Sequence, residues 1–265
     1  MIDYHLHSNI SGDCETSMRA MVQAAQSKGI REVCFAEHID LDFPYEEDID
    51  FSVDFDVFNI SLSHVKAQFP GLNIRKGIEA GLDMNNLQRI PPLLEGQDLD
   101  IVIGSTHVVF GRDPYYPGFW ETFSKAEAFE EYTRLLLKTA QSCDFYDVLG
   151  HVGFISKFCP DADNLYRYSD YSDVIDTLLK MLVARGKGLE VNTNGLLMTS
   201  STMPEENIVR RFFELGGRII TVGSDAHEED IVGYRADEAL QMLRSIGFKY
   251  VCAFDARKPR FIPIP

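Results

Sequence analysis

Along the chain, short runs of apolar and β-branched residues alternate with longer stretches in which apolar side chains recur every three or four positions. The short runs fall at Ile2 to His5, Glu32 to Ala36, Asn73 to Ile78, Asp100 to Gly104, Asp147 to Gly150, Gly188 to Val191 and Arg218 to Val222, and they predict strands. The longer stretches predict helices: Thr16 to Lys28, Asp54 to Gln68, a broken one around Met84 to Leu94, Lys125 to Ser142, Ser172 to Arg185, Pro204 to Leu215 and Arg235 to Ser245. Met18, Met21, Val22 and Ala25 give the first helix its apolar face, and Pro204 with two glutamates opens the sixth. Glycines at Gly29 and Gly216 stop both. A strand–helix unit repeated seven times reads as an α/β fold with a parallel sheet. No G-x-G-x-x-G or G-x-x-x-x-G-K-[ST] follows any strand, so a closed seven-stranded barrel is favoured over an open nucleotide-binding sheet. The segment Lys249 to Pro265 is expected to be a short strand and a proline-rich tail closing the N-terminal side of the barrel.

Composition narrows what such a barrel can do. With 265 residues, 45% of them hydrophobic, the chain fits one large domain spanning 1–265. A net charge of −16, with only short Lys/Arg pairs such as Arg75-Lys76 and Arg210-Arg211, disfavours nucleic acid as a partner and points to a small molecule. No apolar run is long enough for a membrane span, and no leader is expected before the first strand. Five scattered cysteines, none in C-x-x-C, fit reduced thiols in the cytoplasm, so any metal must be held by nitrogen and oxygen. The sequence leaves the oligomeric state open.

The histidines then change the picture. His5 and His7 end strand one, and their spacing puts both rings on the same face of an extended strand. His38 ends strand two, His107 follows strand four, His151 ends strand five and His227 follows strand seven; only His64 sits inside a helix, where a surface or packing role suffices. The C-terminal ends of parallel barrel strands open on one face, where active sites are built, so the six rings converge. Glu79 ends strand three, Asp225 stands two residues before His227, and Asp13 lies in the loop after strand one. Asp13 alone reads equally as a helix cap. Six imidazoles and three carboxylates exceed one ion's needs and suit two or three divalent transition metals, Zn, Mn or Fe.

The ordered motifs "DYHLHSNISGD", "FAEH", "GIEAG", "STH", "GHVGFISKF", "LEVNTNG" and "VGSDAH" resemble the polymerase and histidinol phosphatase (PHP) family. Within it they are similar to the single-function histidinol-phosphate phosphatases of histidine biosynthesis, over essentially the whole chain. The resemblance implies a distorted (β/α)7 barrel and a trinuclear metal centre. It places His5, His7, Glu79 and Asp225 on one metal; Glu79, as a bridge, with His107 and His151 on the second; and Asp13, His38 and His227 on the third. Some relatives have histidine where Asp13 stands. The implied reaction is hydrolysis of L-histidinol phosphate by a metal-bridging hydroxide attacking phosphorus in line, with no covalent phosphoenzyme. Asp225 serves through the metal, and a metal-bound water, His38 or His227 protonates the leaving alkoxide.

Substrate contacts are read from the loops. Glu37 either orients a neighbouring ligand or touches substrate, Lys157 matches a basic position of relatives that suits phosphate, and Asn192 and Asn194 end strand six facing the pocket. Where relatives carry a basic residue after that strand, this chain has Leu197 and Met198. The acidic run "IDLDFPYEEDID" and the aromatic run "VVFGRDPYYPGFWE", with Trp120, are positioned to shape specificity, the latter as a lid. Two other readings stand beside this one: a PHP phosphoesterase acting on nucleotides or other small phosphomonoesters, and a non-catalytic module with a vestigial site.

Overall fold

The computed structural model describes residues 1–44 and 51–265. In chain order the elements are β1 (Ile2–Leu6), α1 (Met18–Ser27), β2 (Glu32–Ile39), α2 (Phe55–Gln68), β3 (Asn73–Gly81), α3 (Ile90–Leu94), β4 (Ile101–Ser105), α4 (Pro117–Thr122), α5 (Lys125–Ser142), β5 (Val148–Leu149), α6 (Tyr168–Ala184), β6 (Gly188–Asn192), α7 (Gly195–Met198), α8 (Glu206–Glu214), β7 (Ile220–Gly223), α9 (Ala236–Ile246), β8 (Tyr250–Asp255) and β9 (Lys258–Pro263). The first seven strands form one parallel sheet in sequence order. The sheet curls until β1 meets the segment after β7, where Asp225 N donates to His5 O at 2.8 Å and His7 N to Ala226 O at 3.0 Å. Seven β/α units thus make the nearly closed barrel that the repeat pattern predicts.

The helices form for the reasons their sequences suggest. Ser17 caps α1 by accepting from Ala20 N, and Met18, Met21, Val22 and Ala25 are the residues it buries. Ser124 and Glu127 make a reciprocal capping box at the start of α5. Burial against the sheet, running through all seven strands, supplies the core: Leu6, Val33, Phe35, Ile78, Val102, Ile103, Val148, Leu149, Val191 and Ile220 are all fully buried.

Three expectations need correction. Strands β2 and β3 run on to Ile39 and Gly81, beyond Ala36 and Ile78, because His38 and Glu79 pair in register and stay within the sheet. Between Met84 and Leu94 only Ile90–Leu94 is helical. The end of the chain is an antiparallel hairpin rather than one strand and a tail, turning at Ala256 and Arg257, both with positive φ, 47° and 66°. It does cover the N-terminal side of the barrel. Arg257 pairs with Asp147, Arg260 Nη2 lies 2.6 Å from Glu32 Oε2, and Phe254 N donates to the Tyr4 hydroxyl at 2.9 Å.

Candidate metal centre

At the opposite, C-terminal end of the strands, a cavity of about 620 Å³ opens over the side chains that the strands deliver. Glu79, at the end of β3 and fully buried, divides its two oxygens between two groups. Its Oε2 faces His5 Nε2 at 3.1 Å, His7 Nε2 at 3.4 Å and His38 Nδ1 at 3.3 Å. Its Oε1 faces His151 Nε2 at 2.6 Å and His107 Nε2 at 3.2 Å. Asp225 completes the first group, with Oδ1 3.3 Å from His7 Nε2 and 3.8 Å from His5 Nε2. The left-handed backbone at Asp225 (φ 52°) turns this side chain back over β1 directly after the barrel closes.

A third group lies at the mouth. Asp13 Oδ2 sits 3.1 Å from His227 Nε2 and 3.5 Å from His38 Nε2. Side-chain exposures of 29% for Asp13 and 26% for His227, against 0% for His5 and His7, make this the solvent-facing end of the cluster. His7, His38 and His227 also come close enough to share one ion, as do His38, Asp40 and His107. His64 is exposed on α2, away from all of these.

The donor set fits divalent cations. His5 Nε2, His7 Nε2, His38 Nδ1 and Glu79 Oε2 are buried without a hydrogen-bond partner, although they point at one another across 3.1–3.4 Å. Unpartnered polar atoms at such depth are costly unless something between them accepts their lone pairs. Nitrogen and carboxylate oxygen together are the donors that zinc, manganese and iron take.

Electrostatics within the cluster are strongly coupled. Burial works against the charged form of Glu79, but the surrounding His5, His107, His38 and His151 outweigh it and hold the carboxyl well below its usual range. Burial also opposes charge on His5 and His107, yet Glu190 and Glu79 raise the former, while Asp40 and Glu79 raise the latter to about 10. His7 moves the other way, down to about 3, through burial followed by repulsion from His227 and His38.

Behind the converging atoms stands a set of orienting contacts, two of which the sequence reading lacks. Glu190 on β6 accepts from His5 Nδ1 at 2.6 Å and from His151 N at 2.8 Å. Asp40 accepts from His107 Nδ1 at 2.9 Å. Each fixes a ring so that the opposite nitrogen faces the cluster. The backbone makes room for both: a Cβ on Gly223 would lie 2.4 Å from His5 Cβ and 2.8 Å from Glu190 Oε1, and one on Gly81 would lie 1.9 Å from Asp40 Oδ1.

Of the substrate contacts read from sequence, Lys157 and Asn194 line the cavity, whereas Glu37, Asn192 and Trp120 do not. Lys157 Nζ stands 3.8 Å from Asp225 Oδ2. Asn194 Nδ2 donates to Asp225 O at 3.2 Å, holding the loop that carries that carboxylate. Glu37 is fully buried and accepts from the Ser8 and Ser11 hydroxyls at 2.5 Å; Ser11 Oγ in turn lies 3.2 Å from His7 Nδ1. It therefore reaches His7 through Ser11 rather than the cavity, with burial raising its carboxyl to about 7. Asn192 Nδ2 is spent on Glu190 Oε2 at 3.3 Å. Trp120 is drawn into α4, its Nε1 donating to Pro114 O at 2.8 Å, and Tyr115 and Tyr116 reach the cavity instead. Of the acidic run, residues 45–50 lie outside the described residues, while Asp40 and Phe43 line the wall. The run Asp98 to Val102 matches the D-x-D-x-V pattern of phosphatases with an aspartyl nucleophile. Its second aspartate, Asp100, accepts from Lys76 N at 2.9 Å and pairs with Arg75 next to the C-terminal hairpin, outside the cavity.

Residues 3–194 match the family model described as the PHP domain. The chain belongs to the PHP family. Over 256 residues, this PHP protein is 30% identical to a Clostridium acetobutylicum protein named a probable histidinol-phosphatase, covering 95% of this chain and 96% of that one. It is 28% identical to the histidinol-phosphatase of Lactococcus lactis subsp. lactis, over 97% of this chain and 95% of that one. The crystal structure of the Lactococcus histidinol phosphate phosphatase, complexed with zinc, L-histidinol and phosphate, superposes with a TM-score of 0.91 at 28% identity, covering 98% of both chains.

Proposed function

We propose that this PHP protein hydrolyses L-histidinol phosphate to L-histidinol and phosphate, using divalent cations held by its strand-end histidines and carboxylates. The observation that carries the reading is Glu79, whose two oxygens face two separate histidine groups, in a chain superposing end to end on a phosphatase that binds zinc, L-histidinol and phosphate. His5, His7, Glu79 and Asp225 hold one ion; Glu79, His107 and His151 hold a second; Asp13, His38 and His227 hold a third at the mouth. Bound there, the cations supply Lewis-acid neutralisation of the phosphoryl oxygens and lower the pKa of the attacking water.

The chain's own residues do the rest. Lys157 offers its ammonium to a phosphoryl oxygen from beside Asp225. Glu190 and Asp40 lock the rings of His5 and His107, and Asn194 fixes the backbone of Asp225. When the mouth position carries no ion, His227 and His38, whose Nε2 atoms lie 3.1 and 3.5 Å from Asp13 Oδ2, are the side chains placed to protonate the leaving alkoxide. The domain comprises the whole of 1–265, since the hairpin after β7 ties into β1 through Tyr4. The five free cysteines support a reducing cytoplasm as its location, and histidine biosynthesis is the pathway this reaction serves. Among the described residues no helix is long and apolar enough to cross a membrane.

Leu197 lines the cavity just after β6, where the family resemblance implies a basic residue, and this favours one second reading: broader turnover of small phosphomonoesters with Lys157 as the main cationic contact. Phosphate release across a panel of esters, with metal analysis of the same sample, decides between them. Preference for L-histidinol phosphate and two or three bound transition-metal ions per chain support the assignment. Equal turnover of generic esters overturns the narrow substrate, and activity that persists after complete removal of metal overturns the chemistry.

A further inference from the structure

One buried carboxylate on the cavity wall belongs to none of the ion-holding groups. Val109 and Arg112 exchange backbone hydrogen bonds of 2.9 and 3.0 Å around a tight turn, with Phe110 and Gly111 at φ 53° and 70°. The turn delivers the next residue, Asp113, to the cavity wall, where it is 8% exposed. Its Oδ1 accepts from Tyr115 N at 2.8 Å, and among the described residues its Oδ2 takes no hydrogen bond. A largely buried carboxylate on a cavity wall with one oxygen free is a strong acceptor awaiting a donor.

Its surroundings say what kind of donor. From Asp113 a row of rings leads inward: Tyr115 against Phe158 at 5.5 Å, Phe158 against Phe154 at 5.2 Å, and Phe154 against His107 and His151 at 5.2 and 5.0 Å. Lys157, the only lysine or arginine among the described lining residues, stands over Phe158 and Phe154 and beside Asp225. The cavity therefore has a cationic point suited to phosphate, an aromatic wall, and a separate buried anionic point. Glu228 also lines the rim, but it is exposed and its charge is screened by water.

We infer that Asp113 is the specificity-determining residue that selects phosphomonoesters whose alcohol carries a protonated nitrogen, accepting the N–H at Oδ2 while the alcohol lies along Tyr115, Phe158 and Phe154. This rests on the phosphatase reading above and adds the residue that discriminates among esters. The nitrogen is an ammonium or an imidazolium, and both offer the same charged N–H.

The test uses Asp113→Asn, which keeps an oxygen for Tyr115 N–H, compared with the wild-type holoenzyme at matched metal content and melting temperature. The readout is the ratio of kcat/KM for L-histidinol phosphate to that for glycerol phosphate, with ethanolamine phosphate as a third substrate. The ratio is expected to fall about 10- to 100-fold, mainly through KM, as for loss of a hydrogen bond to a charged group. A parallel fall for ethanolamine phosphate assigns the ammonium; a fall for histidinol phosphate alone assigns the imidazolium. If Asp113→Asn does not fold, Asp113→Ser, which also offers an oxygen at this position, is read the same way. A wild-type preference that survives the substitution within twofold, or equal losses on all three esters, overturns this inference alone. A wild-type enzyme with no preference for histidinol phosphate overturns the assignment it rests on.

Discussion

Replacing Glu190 with glutamine tests whether the contacts behind the cluster control its affinity for metal. The carboxylate is 1% exposed and accepts at both oxygens, from His5 Nδ1 at 2.6 Å and from His151 N at 2.8 Å, with Asn192 Nδ2 at 3.3 Å. An amide of the same shape accepts at one end only. Whichever way it is oriented, its NH2 meets one of those two donors, leaving a buried N–H unpaired at a cost of about 1–3 kcal/mol. The substitution also removes the negative charge that, with Glu79, overcomes burial and raises His5, so the ring becomes a poorer donor at Nε2. Loss of such an orienting partner typically lowers metal affinity about 10- to 100-fold, or about 1.4–2.8 kcal/mol. Competition of the purified enzyme against a chromogenic chelator for zinc and for manganese measures this. Thermal melts in excess chelator isolate the structural cost from the metal term. If Glu190→Gln binds both metals within twofold of wild type while its melting temperature falls, the chain of influence from Glu190 through His5 is refuted and the residue is merely structural.

Two further outcomes follow from the same geometry. Lys157→Met is expected to raise KM for every phosphomonoester about 10-fold while leaving metal content unchanged, because the ammonium is 3.8 Å from Asp225 and outside the converging donor atoms; steady-state kinetics with metal analysis checks it. Arg257→Ala breaks a partly exposed contact with Asp147 beneath the barrel, so urea unfolding should show a loss of about 1 kcal/mol with kcat/KM unaltered at the other end.

Much of the site is legible in the sequence because a parallel barrel turns strand-end positions into neighbours. Histidines separated by up to 222 positions, from His5 to His227, needed only that topology to converge. The two omissions were also within reach of the rules applied. Asp40 stands two residues after His38, the same spacing that joins His5 to His7 and Asp225 to His227, but it begins an acidic run that reads as a solvated loop. Glu190 shares strand parity with Asn192 and Asn194, so placing those two toward the pocket places Glu190 on that side one layer deeper. Trp120 shows the opposite limit: an aromatic in a loop of irregular backbone has no periodicity to say which way it faces, and α4 turned it inward. The hairpin at the end of the chain escaped because its turn uses Ala256 and Arg257, without the Asn-Gly or Asp-Gly signal that usually marks two positive φ angles.

The seam where the barrel closes has a mechanical meaning. Between β1 and the segment after β7, the backbone is joined at His5, His7, Asp225 and Ala226, and three of these four residues carry the donor atoms of the innermost group. Whatever His5, His7 and Asp225 hold in common therefore rivets the first strand to the last. Loading the centre should slow amide exchange at Asp225 and His7 before it is felt elsewhere in the sheet, making the closure of the barrel a gauge of its own occupancy.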